Sequence, residues 1–230
     1  MNRDQPTPID PHALAIAEEL PGPRLTLRRL RVSDAEELLA ALIESRPRLR
    51  PWLGFHEAIT TLDEAREWLA YDSAKWERRE GFHYGLRLPP TGALIGALHM
   101  HTIHWEIPSF ALGYWLRSGY DGQGYMTEAV RVGTDYLFTQ AGARRVSILC
   151  DTRNTRSAAV AERLGFVRGA AAQRVARPRW RPHRRLHVQP DRYGPPLAIA
   201  ERADVARTGQ SPGCSEWIRV GGCGRHVGVV

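Results

Sequence analysis

Long apolar runs are missing from this chain: nothing in it approaches the roughly 18 consecutive apolar residues of a membrane-spanning helix. Signal-peptide patterning is missing too, because the opening MNRDQPTPIDPHALAIAEELPGP is polar, partly acidic and broken by proline. Cysteine is scarce. The three present, Cys150, Cys214 and Cys223, are odd in number and lack metal-site spacing, so they read as free thiols of a reducing, cytoplasmic compartment. A general excess of charge is absent as well. The net charge is +7, yet residues 1–168 carry 21 Lys+Arg against 21 Asp+Glu, and residues 169–230 carry 11 against 4. The body is neutral, and any pull on a polyanion would be the tail's alone.

What is present has a clear order. The 230 residues suit one large domain, or a domain of about 150 residues with an extension. Residues 1–23 read as a flexible lead-in. RLTLRRL (Arg24–Leu30) alternates like a half-buried strand. SDAE (Ser33–Glu36) has the form of a capping box ahead of an apolar stripe through Leu38, Leu39, Leu42 and Ile43. RPRLRPWLGF (Arg46–Phe55) should break that helix, and TLDE (Thr61–Glu64) opens another that runs to about Arg78. Three strand-like runs follow, Phe82–Leu88, Ala93–Ile103 and Phe110–Arg117. After a glycine loop come a helix ending near Gly142, a buried strand Arg144–Cys150 and a short helix Asn154–Phe166. This order predicts an α/β (α+β) sandwich around one mixed sheet.

The glycine loop YDGQGYMTEAV (Tyr120–Val130) raises a question of chemistry. Glycines let backbone N–H groups approach a ligand, and a helix start behind them favours an anion. A P-loop is excluded, because no lysine enters the helix. A dinucleotide fingerprint is excluded too, because Thr127 stands where its third glycine belongs. A second signal lies about thirty residues on, in NTRSAAVAERLGF (Asn154–Phe166). Together, GYWLRSGYDGQGYMTEAV and NTRSAAVAERLGF resemble the acyl-CoA-binding half of the GNAT N-acetyltransferases, nearest the RimJ/RimL-like group that acetylates protein N-termini. The likeness covers roughly Arg24 to Arg168.

That resemblance implies a GNAT fold: a mixed central sheet with splayed strands, flanked by helices. It implies acetyl-CoA as acyl donor, no metal, and a primary amine as acceptor, a protein or peptide N-terminus. Acetylation of an aminoglycoside-like amine and a non-catalytic CoA-binding product are the alternatives. Gly122, Gln123, Gly124, Tyr125, Met126 and Thr127 would cradle the pyrophosphate, although Asp121 places a carboxylate where relatives carry Gln or Arg. Trp115, Leu116 and Arg117, on a strand splayed from Val146–Cys150, would flank the pantetheine arm. Asn154 would hydrogen-bond that arm or the substrate, and Ser157 would protonate the departing thiolate. Many relatives place a basic glutamate where this chain has Ala111, which leaves Glu106 as the surviving carboxylate nearby. His99, His101 and His104 read as surface or pocket lining rather than metal ligands. Trp52, Trp68, Trp76 and Trp115 read as core or groove wall.

From Gly169 onward the patterning collapses into a basic, Arg- and Pro-rich stretch without period 2 or 3.6. The family's last strand is therefore expected to be missing or replaced, and residues 169–230 to be a disordered tail. The tail lacks interleaved aromatics and regular spacing, which argues against a grip on nucleic acid. Synonymous codons for Ala170–Tyr193 permit a shifted-frame translation holding an acidic segment, a polar turn and an apolar strand. The expectation is that the gene, read one nucleotide out of frame from near codon 169, continues the domain. Sequencing that stretch of DNA decides it; a shifted frame without an apolar strand removes the idea.

Overall fold

Alternating apolar residues in three consecutive runs build the centre of the sheet. In the computed structural model, which describes residues 10–53, 58–168 and 226–229, these runs are β3 (Phe82–Leu88), β4 (Ala93–His104) and β5 (Ser109–Leu116). They pair antiparallel, with Gly85 opposite Ala97 and Leu98 opposite Tyr114. On one side β2 (Thr26–Arg29) pairs with β3, and β1 (Glu19–Pro21) pairs with β2. On the other side β6 (Arg145–Ile148) lies parallel to β5. Two short strands, β7 (Val167–Arg168) and β8 (His226–Val229), complete a mixed sheet of order β1-β2-β3-β4-β5-β6-β8-β7 among the described residues.

Each face of the sheet is covered by helices. α1 (Ala35–Leu49) and α2 (Leu62–Glu77) pack on one face, where Leu38, Leu42 and Leu69 meet Leu94, Ala97 and Trp115 in a fully buried cluster. Each such leucine contributes roughly 1.5–3 kcal/mol by leaving water. α3 (Tyr125–Thr139) and α4 (Thr155–Arg163) cover the opposite face with Met126, Val130, Leu137 and Val160. α3 presses close to the sheet at Gly133, where a Cβ would stand 2.6 Å from Leu98 Cδ2.

Several local expectations change in three dimensions. The TLDE box forms as read: Thr61 accepts from Glu64 N at 3.2 Å, and Glu64 accepts from Thr61 N at 2.9 Å. Those bonds and the ones from Thr60 hold the Glu64 carboxyl at about 2. SDAE behaves differently. The turn at Val32–Asp34 is a 3-10 turn whose cap is Arg31, and Asp34 rather than Ser33 supplies the side chain, accepting from Arg31 N at 2.9 Å. Asp34 is drawn there by Arg87. The break expected within Arg46–Phe55 comes at Leu49, so that α1 runs through Pro47 before it ends. A proline there forfeits only the bond to the Ile43 carbonyl, and Ile43 is 51% exposed, so water can serve that oxygen. Part of the lead-in is built into the sheet as β1, because Leu20 is buried against the core. Beside β6, the place for a strand following α4 is taken by β8, parallel to both neighbours. The remainder of the tail, like the shifted-frame segment, lies outside the described residues.

One buried ion network ties four elements together. Arg87, 7% exposed on β3, donates to Asp34 at 2.7 Å and to Glu37 on α1. Arg28 on β2 reaches the same Asp34 oxygen at 2.9 Å, and Glu37 accepts from the β4 amide of Leu94 at 2.6 Å. Removing Asp34 takes one charged hydrogen bond from a buried guanidinium that keeps Glu37, a loss that ordinarily costs about 1.5–3 kcal/mol. Asp34→Ala is expected to lower the unfolding free energy by that amount in urea titration. A loss under about 1 kcal/mol would show that Arg87 finds water instead.

Candidate functional site

The site begins where two strands stop pairing. β5 and β6 bond over Ser109–Leu112 and Arg145–Ile148, and the ladder ends there. β5 runs on to Leu116, still paired to β4 on its far side, whereas the other chain turns away. The turn has a local cause. Asp151 accepts from Arg153 N at 2.9 Å and pairs with its guanidinium at 2.8 Å, and its carbonyl accepts from Asn154 N at 2.8 Å. This folded-back loop delivers the chain into α4 instead of extending β6. From Gly113 outward, the β5 amides facing away from β4 therefore border an open fork among the described residues. Such an edge can hydrogen-bond a slender, amide-bearing ligand as a strand would.

At the mouth of the fork stands the glycine loop. Gly122 and Gly124 adopt φ of 76° and 80°, left-handed values that side chains resist, and Gly124 is the N-cap of α3. The first intrahelical bond runs from Glu128 N to Gly124 O at 3.0 Å, which leaves the amides of Tyr125, Met126 and Thr127 pointing out of the helix end. Gln123 folds back on the loop, its Nε2 donating to Gly119 O at 3.2 Å. Met126 is buried in the core, so it serves packing while its amide faces the mouth.

Two arginines that the sequence did not single out shape this mouth. Asp121 is paired with Arg48 of α1 at 2.6 Å, so the carboxylate that departs from the family pattern is neutralised. Arg24 reaches over from the start of the domain: it donates to Gln123 O at 3.0 Å, pairs with Glu128 at 2.7 Å and lies over the Tyr125 ring at 4.9 Å. A half-exposed guanidinium thus stands beside the out-pointing amides. Only the fold brings residues this far apart together, and no local pattern marks them.

Across the fork a hydroxyl pair closes the α4 side. Ser157 Oγ donates to Tyr114 Oη at 3.0 Å, and Tyr114 Oη donates to the Ser157 carbonyl at 3.0 Å. Burial pushes the Tyr114 hydroxyl well above the usual phenol range, so it stays protonated at neutral pH. Asn154 caps α4, its Oδ1 accepting from Ser157 N at 3.1 Å. Its amide oxygen is thereby engaged, and contact with a ligand falls to its NH2 group. Tyr114 is the residue missed here, although it stands inside the GYWL run.

On the α1/α2 side, imidazoles line up across the sheet. His83 and His99 stack at 4.4 Å, His99 and His101 lie 5.2 Å apart, and His83 Nδ1 contacts Asp72 at 3.4 Å. Asp72, His83 and His99 bring three donor atoms within 4.8 Å of one another, a grouping that differs from the alternating trio of the sequence. Burial first, then the charges of His83 and Lys75, hold His101 down to about 4.

The remaining sequence-derived residues fall apart from these. Trp115 is buried in the α1/α2 cluster, so its contribution to the fork is backbone. Leu116 ends the strand, and Arg117 pairs with Glu44 at 2.6 Å. Glu106 sits exposed in the turn between β4 and β5, at the far end of β5 from the fork. The strand from Ser109 to Gly113 alone separates them by roughly 13 Å. Trp68 packs edge-on to His83, partly buried against the α1/α2 cluster.

Known proteins resemble this chain in sequence and fold. Residues 24–167 match the family model described as an acetyltransferase (GNAT) domain. YdaF of Bacillus subtilis (strain 168), a candidate ribosomal N-acetyltransferase, is 32% identical over 153 residues, covering 65% of this chain and 81% of its own. The ribosomal-protein-S5-alanine acetyltransferase of Vibrio fischeri superposes with a TM-score of 0.61 at 25% identity, covering 67% of this chain and 86% of its own. RimL, a ribosomal L7/L12 α-N-protein acetyltransferase solved with coenzyme A, shares the fold with a TM-score of 0.64 at 23% identity, covering 68% and 87%.

Proposed function

This chain belongs to the GNAT acetyltransferases, and from that premise we propose that it moves the acetyl group of acetyl-CoA to a primary amine, the N-terminus of a protein or peptide. The observation that carries the reading is the parting of β5 and β6 directly behind the glycine loop. The donor set fits a coenzyme A molecule: helix-start amides without an intrahelical partner and Arg24 suit a diphosphate, and the β5 edge, open among the described residues, suits an amide-bearing arm. Acetyl-CoA supplies the acyl group as an activated thioester.

The chain's own groups then have distinct tasks. Gly122, Gln123, Gly124, Tyr125, Met126 and Thr127 hold the diphosphate through their backbone, with Arg48 cancelling the repulsion from Asp121. The β5 backbone at Trp115, Leu116 and Arg117 fixes the arm. A β5 amide donating to the carbonyl oxygen would stabilise the charge that develops there. Tyr114 and Ser157, both neutral and hydrogen-bonded, offer a proton to the leaving sulfur, and Asn154 steadies the helix start that carries Ser157. A ribosomal-protein N-terminus is the acceptor suggested by what the relatives named above are said to act on.

Titrating the full chain with coenzyme A in a thermal-shift assay, then mixing it with acetyl-CoA and a peptide beginning with Ser or Ala, tests the reading. A rise in Tm and a mass gain of one acetyl group on the peptide are expected; no shift at millimolar coenzyme A would remove it. Gly124→Ala should weaken coenzyme A about tenfold, because a side chain at φ 80° costs about 1–2 kcal/mol and its Cβ would meet Arg24 at 3.4 Å. Ser157→Ala is expected to slow kcat about 10- to 100-fold with the KM for acetyl-CoA unchanged, measured by thiol release. An unchanged kcat would leave Tyr114 as the proton donor.

A further inference from the structure

The acceptor amine must lose a proton as it attacks, and the groups considered so far leave that proton without a destination. Ala111 has no polar side chain, and Glu106 stands at the wrong end of β5. One titratable side chain does border the fork on the face opposite Tyr114. His101 is paired in register with Ala111, but its ring leans along β4 so that Nε2 comes 3.3 Å from where a Cβ of Gly113 would stand. Gly113 is the first β5 residue beyond the last β5–β6 pair, Leu112 with Ile148. The absence of a side chain at Gly113 is what lets the imidazole edge lie over the strand there. His99 does not compete for this place, since its Nε2 lies 2.9 Å from the Cβ position of Gly81, near the start of β3.

The ring is also aimed. β4 loses register with β5 between His101 and His104, the kind of irregularity that re-aims a side chain. Within it Thr102 holds φ at 47°, a costly left-handed value for a β-branched residue. The distortion sets Thr102 Oγ1 2.9 Å from His101 Nδ1. That contact admits two tautomers, and the one in which Nδ1–H donates to the hydroxyl puts the ring's lone pair on Nε2, the atom over Gly113. Behind it, the stack of His99 and His83 ending on Asp72 limits how the ring can turn.

We infer that His101 is the base of the transfer, taking the proton of the attacking amine at Nε2 from the α1/α2 side of the fork. This rests on the acetyl-transfer reading above. The step balances without any further reagent: the nitrogen lone pair forms the N–C bond, and the N–H proton passes to Nε2. The C–S bond breaks with its electrons going to sulfur, which gains a proton from the Tyr114–Ser157 pair. Solvent exchange at the partly buried ring and hydroxyls restores both. Burial keeps the ring neutral near pH 7, so its lone pair is present, but it also lowers the ring's basicity, so the proton must leave the amine as the N–C bond forms. Thr102 is a positioning residue acting through His101.

The test uses the full chain, acetyl-CoA and the Ser- or Ala-initiated peptide. His101→Gln should lower kcat about 100-fold or more while its coenzyme-A-induced Tm shift matches the wild type. Added imidazole should restore turnover to His101→Ala, which a structural role would not allow. A kcat within about threefold of wild type, with the shift intact, overturns the inference and leaves the acetyl-transfer reading standing. If His101→Gln shows no shift, Thr102→Val decides: it keeps the shape but removes the hydroxyl. It should lower kcat about 5- to 10-fold at unchanged KM for acetyl-CoA, and an unchanged kcat overturns the inference. A wild-type chain with no coenzyme A shift removes both readings together.

Discussion

The ladder between β5 and β6 stops after Leu112 and Ile148, and the rest of the site depends on that stop. A strand pair extended by two more residues would satisfy the β5 amides with backbone and leave nothing for a ligand. The cause is not a weak strand but a strong competing turn. Asp151, 9% exposed, holds Arg153 with its carboxylate and the Asn154 amide with its carbonyl, contacts that compete with extension along β5. The same turn sets Asn154 as a helix cap and Ser157 one turn later, within reach of Tyr114. One local fold-back therefore opens the fork and furnishes one of its walls.

Electrostatics at the mouth follows from long-range packing. A carboxylate at Asp121 would oppose an anionic ligand, but α1 extends past Pro47 only far enough to bring Arg48 against it. Arg24 adds a guanidinium beside the loop because Glu128, in the first turn of α3, pins it there. Both ion pairs are partly exposed, so their worth lies less in stability than in the potential they set at the helix start. The buried Arg87–Asp34–Glu37 network contributes differently, fixing α1 against the sheet and so fixing where Arg48 can reach.

Much of the fold was legible because it rests on periodicity and caps. The β3, β4 and β5 runs were readable from alternation, α2 from its TLDE box, and the α3 start from glycines ahead of an apolar stripe. Misreadings occurred where a local signal met a tertiary one. Ser33 looked like a cap, yet Asp34 was taken by a buried arginine. Pro47 is carried inside α1 because the carbonyl it orphans belongs to exposed Ile43, and the helix ends two residues later. β8 was not legible, because four residues far along a patternless tail carry no periodic signal of their own. The proposed diphosphate loop and the Asn154–Ser157 turn were readable as motifs. His101 was legible only as one of an alternating histidine trio, and Tyr114, Arg24 and Arg48 not at all, since their contacts run across the sheet or between distant segments.

By itself, then, the sequence determined the order of elements, the left-handed glycines of the loop and the helix caps, because all three depend on neighbours within a few residues. Tertiary structure alone decided which strands part, which arginines face the loop, and which imidazole lies over Gly113. Those outcomes depend on register and on buried charge seeking a partner, and neither is written in any local stretch of the chain.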